Sequence, residues 1–256
     1  MGVRYTVKGA DFSGLRPINY VPDNMGFTGW FWHGETMDKS LKNWANPSVP
    51  ALIVGPARPA LMSNFIQTLD TTGWLNSQIA ETVSLTLYSV ARVSNWAGTN
   101  SPTLIASSNV ISPNAGALLD FSINGPRGYT YFNVGGVPTQ RGGGGQTQWD
   151  GTPTEAAWIK DWTFYAISAQ VQSASAVVKF YNMTHNDLSP VHSYTTDLNR
   201  LLATSPYFIG GNPDAGRGTA ADLAFTGIAN VGHTDDQVSA IYRQVKGAAG
   251  RRGINI

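Results

Sequence analysis

Residues 206–247 read PYFIGGNPDAGRGTAADLAFTGIANVGHTDDQVSAIYRQVKG, and this stretch decides the fold class. Tyr207, Phe208 and Ile209 are β-formers that stop at Gly210-Gly211, and Asn212-Pro213-Asp214 is a turn signal. Ala221, Leu223, Phe225, Gly227, Ala229 and Val231 then alternate with Asp222, Ala224, Thr226 and Ile228, the period-two pattern of a strand against a core. Thr234 followed by Gln237 three residues on makes a capping box. Val238, Ile241, Tyr242 and Val245 fall on one helical face, and Gly247 supplies a C-terminal stop. The stretch predicts strand, glycine turn, strand, and a short helix from Asp235 to about Val245.

The order IGG … G … DLAFTGIANVGHTDDQVSAIY resembles the end of laminin-G-like, concanavalin A-like domains. In its low charge and its GRRGINI ending, the chain looks most like the lectin-like domains of phage tail and fibre proteins. On element order the resemblance covers residues 60–247. It implies an all-β, antiparallel β-sandwich of the concanavalin A-like jelly-roll type, closed by one short C-terminal helix. A fold does not by itself imply a function.

Working outward, Thr82–Val93 is a long strand with Val83, Leu85 and Leu87 on one face and Thr86, Tyr88, Val90 and Arg92 on the other. Trp162–Val171 is a second, paired with Ala176–Met183 as a hairpin. Shorter strands are expected at Ala51–Val54, Leu61–Leu69, Leu104–Ser107, Ala117–Ile123 and Val191–Thr195. Tyr129–Val134 is aromatic on both faces, which suggests one face covered and one open to a groove. Val137–Pro153 reads as an unusually long glycine-rich loop, with Gly142–Gly145 in succession. Residues 49–256 are thus expected to form the sandwich domain and residues 1–48 an N-terminal arm or extension. Within that arm Trp30 and Trp32 face one way along a strand. Core packing is the expectation for them, with a sugar-stacking platform as the alternative.

The composition excludes several function classes. The chain has 256 residues, a net charge of +1 and only 13% charged residues, which gives nucleic acid or an anionic membrane no electrostatic hold. There are no cysteines, so disulfides and thiolate chemistry are out. The N-terminal run MGVRYTVKGADFSG has no apolar core of a signal peptide, and no segment has the apolar length of a membrane span. The expectation is a protein made in a host cytoplasm that acts in a virion, outside the cell after release.

Catalytic chemistry finds little support. Glycoside hydrolysis needs two carboxyl groups at a fixed separation. Of the three glutamates, Glu35, Glu81 and Glu155, none has an acidic residue two positions away. No Gly-x-Ser-x-Gly and no His-Glu-x-x-His occurs, and His33, His185, His192 and His233 are read as turn or surface residues. No catalytic or metal residue is assigned. No cofactor is expected; the resemblance leaves room for calcium at a sandwich rim, with Asp150, Asp187, Asp214 and Asp222 as candidates by loop position.

Binding remains. Sugars are held by aromatic faces and by planar polar groups that meet hydroxyls. Arg141, Gln146, Gln148, Trp149 and Asp150 supply these groups beside the glycine run, and Trp96, Tyr129 and Tyr131 are candidates for the same end or face. The reading is a non-enzymatic phage tail or fibre protein whose lectin-like domain binds host surface glycan or assembles in the particle. A polysaccharide depolymerase on the same fold, a structural decoration protein and a bacterial adhesin domain are the alternatives. Partners are then host glycan or other virion proteins, with a homo-oligomer, a trimer on resemblance alone.

Overall fold

The computed structural model describes residues 20–69, 72–94, 102–107, 115–122, 125–144, 159–173, 175–185, 187–188, 192–194, 199–211 and 220–256. In chain order its elements are β1 (Phe27–Trp32), α1 (Met37–Leu41), β2 (Leu52–Val54), β3 (Ala60–Leu61), β4 (Ile66–Leu69), β5 (Trp74–Asn76) and β6 (Leu85–Arg92). Then come β7 (Thr103–Ala106), β8 (Ala117–Ser122), β9 (Gly125–Val134), β10 (Val137–Gly144), β11 (Thr163–Val171) and β12 (Ala176–Asn182). The chain closes with β13 (Asp187–Leu188), β14 (His192–Tyr194), β15 (Asn199–Arg200), β16 (Phe208–Ile209), β17 (Ala220–Ala229) and α2 (Asp235–Arg251).

The strands form two antiparallel sheets. The first runs β13-β12-β11-β6-β17-β4-β3, with β1 also on β17 and β14 also on β12. The second runs β10-β9-β8-β7-β16-β5-β2, with β15 on β9. Leu85, Leu87, Phe121, Phe132, Tyr165, Ile167, Ile209 and Leu223 fill the space between the sheets. This is the expected sandwich, and each large side chain buried there contributes about 1.5–3 kcal/mol.

A third layer covers the first sheet. Tyr88 and Val90 of β6, Phe164 of β11, and Trp30 and Trp32 of β1 point away from the inter-sheet core, against Val238, Ile241, Val245, Ala248 and Ala249 of α2. Trp30 and Trp32 are therefore core residues, 0% and 4% exposed, and no stacking platform. Because β1 pairs along β17, the segment read as an N-terminal arm contributes a strand of the sandwich from Phe27 onward. The expected capping box at Thr234 and Gln237 is present. The helix continues past Gly247 to Arg251, since the packing of Ala248 and Ala249 outweighs the roughly 1 kcal/mol cost of one internal glycine.

Two local readings change. The period-two pattern of β17 is interrupted by a bulge between Leu223 and Phe225. Ala221 and Leu223 consequently face the inter-sheet core while Phe225 faces the helix layer. The glycine-rich stretch from Val137 to Gly144 is a strand in register with β9 rather than a loop. A Cβ on Gly142 would lie 2.1 Å from the Gly128 carbonyl oxygen, so close backbone approach, not mobility, is what this glycine serves.

Candidate functional site

The strand registers gather many chain crossings at one end of the sandwich. In the first sheet Arg92 stands opposite Asp222, Ala91 opposite Thr163, and Leu69 opposite Ala220. In the second, Thr103 stands opposite Asp120, Asp120 opposite Arg127, and Arg127 opposite Gly144. The described strands place five passages between the sheets at this end: from Val54 to Ala60, from Leu69 to Trp74, from Arg92 to Thr103, from Gly144 to Thr163 and from Ile209 to Ala220. Trp96, Gln146, Gln148, Trp149 and Asp150 belong to these crossings and lie outside the described residues. Functional groups concentrate on such loops, held by a rigid scaffold.

On the outer face of the first sheet, three strands place one polar residue each in a row. Gln67 of β4 donates through Nε2 to Asp222 Oδ1 at 2.8 Å, and Arg92 of β6 donates through Nε to Asp222 Oδ2 at 2.9 Å. The Arg92 guanidinium carbon lies 4.6 Å from the Trp162 ring centroid and 5.3 Å from that of Phe65. The two rings meet edge to face at 5.3 Å. Asp222 is 2% exposed while the Arg92 side chain keeps 30%, so the carboxylate is a buried anchor and the cation a surface group. This corner combines aromatic surface, a planar cation and an amide at the loop-bearing end.

The second sheet carries a related but closed arrangement. Arg127 donates to both oxygens of Asp120, at 2.7 and 3.0 Å, and lies 5.1 Å from the Tyr129 centroid. Tyr129 and Tyr131 meet edge to face at 5.7 Å among Ala106, Leu118 and Leu201. They were expected to look into an open groove, and both are buried. Arg141 stands opposite Thr130, on the face away from these tyrosines, because neighbouring residues of a strand point to opposite sides.

The glutamates weighed for hydrolysis, where described, are engaged in ion pairs. Glu81 and Arg200 form an ion pair whose side chains are both fully buried. Arg200 also donates to Thr130 Oγ1 at 2.7 Å and to the Val83 carbonyl at 3.1 Å, and Glu81 accepts from the Ala203 N–H at 2.7 Å. Burial lowers the Arg200 guanidinium to about 10, which still leaves it charged at neutral pH. Glu35 pairs with Lys39 at the surface, and Glu155 lies outside the described residues.

Two histidines read as turn or surface groups are core residues. His33 Nε2 contacts Thr226 Oγ1 at 3.0 Å. Burial first, then the Arg252 charge, lowers its pKa to about 3. His233 Nε2 donates to the Met25 carbonyl at 2.8 Å, so its Nδ1 accepts from the Tyr88 hydroxyl, and burial again favours the neutral ring. Asp222, a calcium candidate by loop position, sits inside β17 with both oxygens engaged by Arg92 and Gln67. Among the described residues, no three His, Asp or Glu side chains converge on one point.

No protein-family model matches this chain, and no curated protein matches it. Solved structures do. The receptor-binding domain of botulinum neurotoxin D aligns with a TM-score of 0.57 at 12% identity, over 89% of this chain and 53% of that one. The receptor-binding domain of the botulinum neurotoxin C/D mosaic serotype aligns at 0.57 and 12% identity, over 85% of this chain and 51% of that one. A serotype D ligand-binding domain in complex with N-acetylneuraminic acid aligns at 0.58 and 12% identity, over 86% and 51%. The chain spans about half the length of these domains, and the likeness is one of fold.

Proposed function

We propose that this protein is a non-enzymatic, lectin-like module that binds surface glycan through its loop-bearing end, as a tail or fibre component of a phage particle. The observation that carries the proposal is the Arg92–Asp222–Gln67 row with Trp162 and Phe65 beside it, partly exposed where the sheet crossings emerge. Aromatic faces suit the C–H face of a sugar ring, and a guanidinium and an amide suit its hydroxyls. The fold shared with receptor-binding domains, one of them in complex with N-acetylneuraminic acid, supports the same direction. The phage setting rests on the resemblance of the chain's end to virion lectin-like domains. Trp96, Gln146, Gln148, Trp149 and Asp150 are proposed as further contact groups from the adjoining crossings. A glycan array probed with the protein, read alongside sugar release from the same polysaccharides, tests this reading. Retention of glycan without release is expected. Release of sugar, or no glycan retained, would overturn it.

One observation favours assembly as a second role. β3 and β2 are the outer strands of the two sheets on the same side of the sandwich, and Leu52, Leu61 and Met62 there are 48%, 40% and 39% exposed. Sheet edges bearing large apolar side chains invite pairing with another chain, which fits a homo-oligomer or contact with other virion proteins.

A further inference from the structure

We infer that the Arg92 corner selects acidic sugars, taking the ring carboxylate of a sialic or uronic acid on the outer edge of the guanidinium; this deepens the carbohydrate-binding reading and rests on it. The inference comes from how the guanidinium is held. Arg92 spends only Nε on Asp222, and its Nη1 and Nη2 make no hydrogen bond to any described residue. Those two nitrogens form the edge that meets a carboxylate with two parallel hydrogen bonds.

The other arginine–aspartate unit at this end is arranged differently. Arg127 turns its Nε–Nη2 edge to both oxygens of Asp120, so its carboxylate-binding side edge is already filled, and its side chain is 21% exposed against 30% for Arg92. Arg200 has every nitrogen engaged, by Glu81, Thr130 and the Thr82 and Val83 carbonyls. The Arg92 plane is also fixed in advance. Trp162 and Phe65 hold it from the sides and Asp222 holds it from behind, so little freedom is lost when a ligand docks.

Asp222 does not repel the incoming carboxylate as a free charge would. It is 2% exposed, and both its oxygens already accept hydrogen bonds from Arg92 and Gln67. Lys160 and Asp161, exposed beside Trp162, add one charge of each sign. A neutral sugar would leave the two terminal nitrogens to weak hydroxyl contacts, whereas a carboxylate meets both. The expected ligand is therefore an acidic residue at a chain end or along a polymer, with its ring against Trp162.

The test is a titration of the full chain with four probes: N-acetylneuraminyl-lactose, lactose, a galacturonic-acid trimer and its carboxyl-reduced counterpart. The two pairs distinguish sialic from uronic acid as the source of the carboxylate. In at least one pair the acidic member is expected to bind about tenfold or more tightly than its neutral counterpart, the increment of hydrogen bonds to a charged group. Arg92→Lys keeps the charge but removes the fork, and should bring that ratio towards one. Arg243→Lys, at an exposed position on α2, should leave the ratio unchanged. The melting temperature of each variant shows that it is folded. Equal affinity within both pairs, or a ratio that survives Arg92→Lys, overturns the inference while leaving carbohydrate binding standing. Failure of all four probes, with neutral glycans still retained on the array, overturns the inference alone. Failure of every glycan overturns both.

Discussion

Arg92 and Arg200 are both paired with a carboxylate, and they differ in what the pairing leaves over. Arg200 and Glu81 are shut inside the sandwich, with every guanidinium nitrogen and both carboxylate oxygens engaged. Arg92 is anchored by one nitrogen and keeps its outer edge at the surface. A saturated buried pair specifies how the chain packs around it, and it leaves no hydrogen-bonding capacity for a ligand. A half-saturated pair, with its carboxylate buried and its cation at the surface, keeps unused donors, and these are the reason to read it as a binding group.

The largest effect expected from this contrast comes from breaking the buried pair. Arg200→Met leaves Glu81 charged and alone in the interior, and should cost about 3–5 kcal/mol in urea unfolding. Arg200→Met combined with Glu81→Leu should recover much of that loss, because no lone charge remains. A single variant as stable as the parent would mean the pair is open to solvent, and the contrast with Arg92 would fail.

A second effect sharpens the contrast through pH. His33 is held neutral by burial, with a folded pKa of about 3 against an ordinary value of 6.5. Since the folded value is the lower one, the unfolded chain binds more protons below about pH 6.5. Stability is then fully present above that pH and is lost as the pH falls towards 3. Denaturant midpoints should decline across that range, and His33→Gln should flatten part of the decline. An unchanged slope in the variant would remove His33 from the account.

The smallest effect on stability is expected at the surface corner. Arg92→Ala should lower stability by about 1–3 kcal/mol, less than the Arg200 variant, since Asp222 is buried but keeps Gln67 and water can reach the place Arg92 leaves. Its main consequence should appear in attachment to glycan. If Arg92→Ala unfolded the domain as readily as Arg200→Met, the two pairs would be of one kind.

Much of the fold was legible in residue order. Leu85 and Leu87 set against Tyr88 and Val90 announced a strand, and Thr234 with Gln237 announced the helix start. The alternation could not show the bulge near Ala224, because one extra residue inverts which face Phe225 takes without changing composition. The glycines at 142–144 read as a loop because the need for close backbone approach arises only once β9 lies alongside. The site was less legible. Tyr129 and Tyr131 were visible as aromatic residues, but their burial depends on Ala106, Leu118 and Leu201, which come from other strands. Asp222 offered a signal, a carboxylate inside an apolar strand pattern that calls for a partner. Arg92 and Gln67 could be named as those partners only from the register across three strands.

The most direct measurement is side-chain NMR of arginine and tryptophan during titration with the glycan that the array selects. The account predicts that the Arg92 guanidinium and Trp162 indole signals move with saturation while those of Arg200 stay in place. Saturable glycan binding that leaves Arg92 and Trp162 unmoved would contradict it.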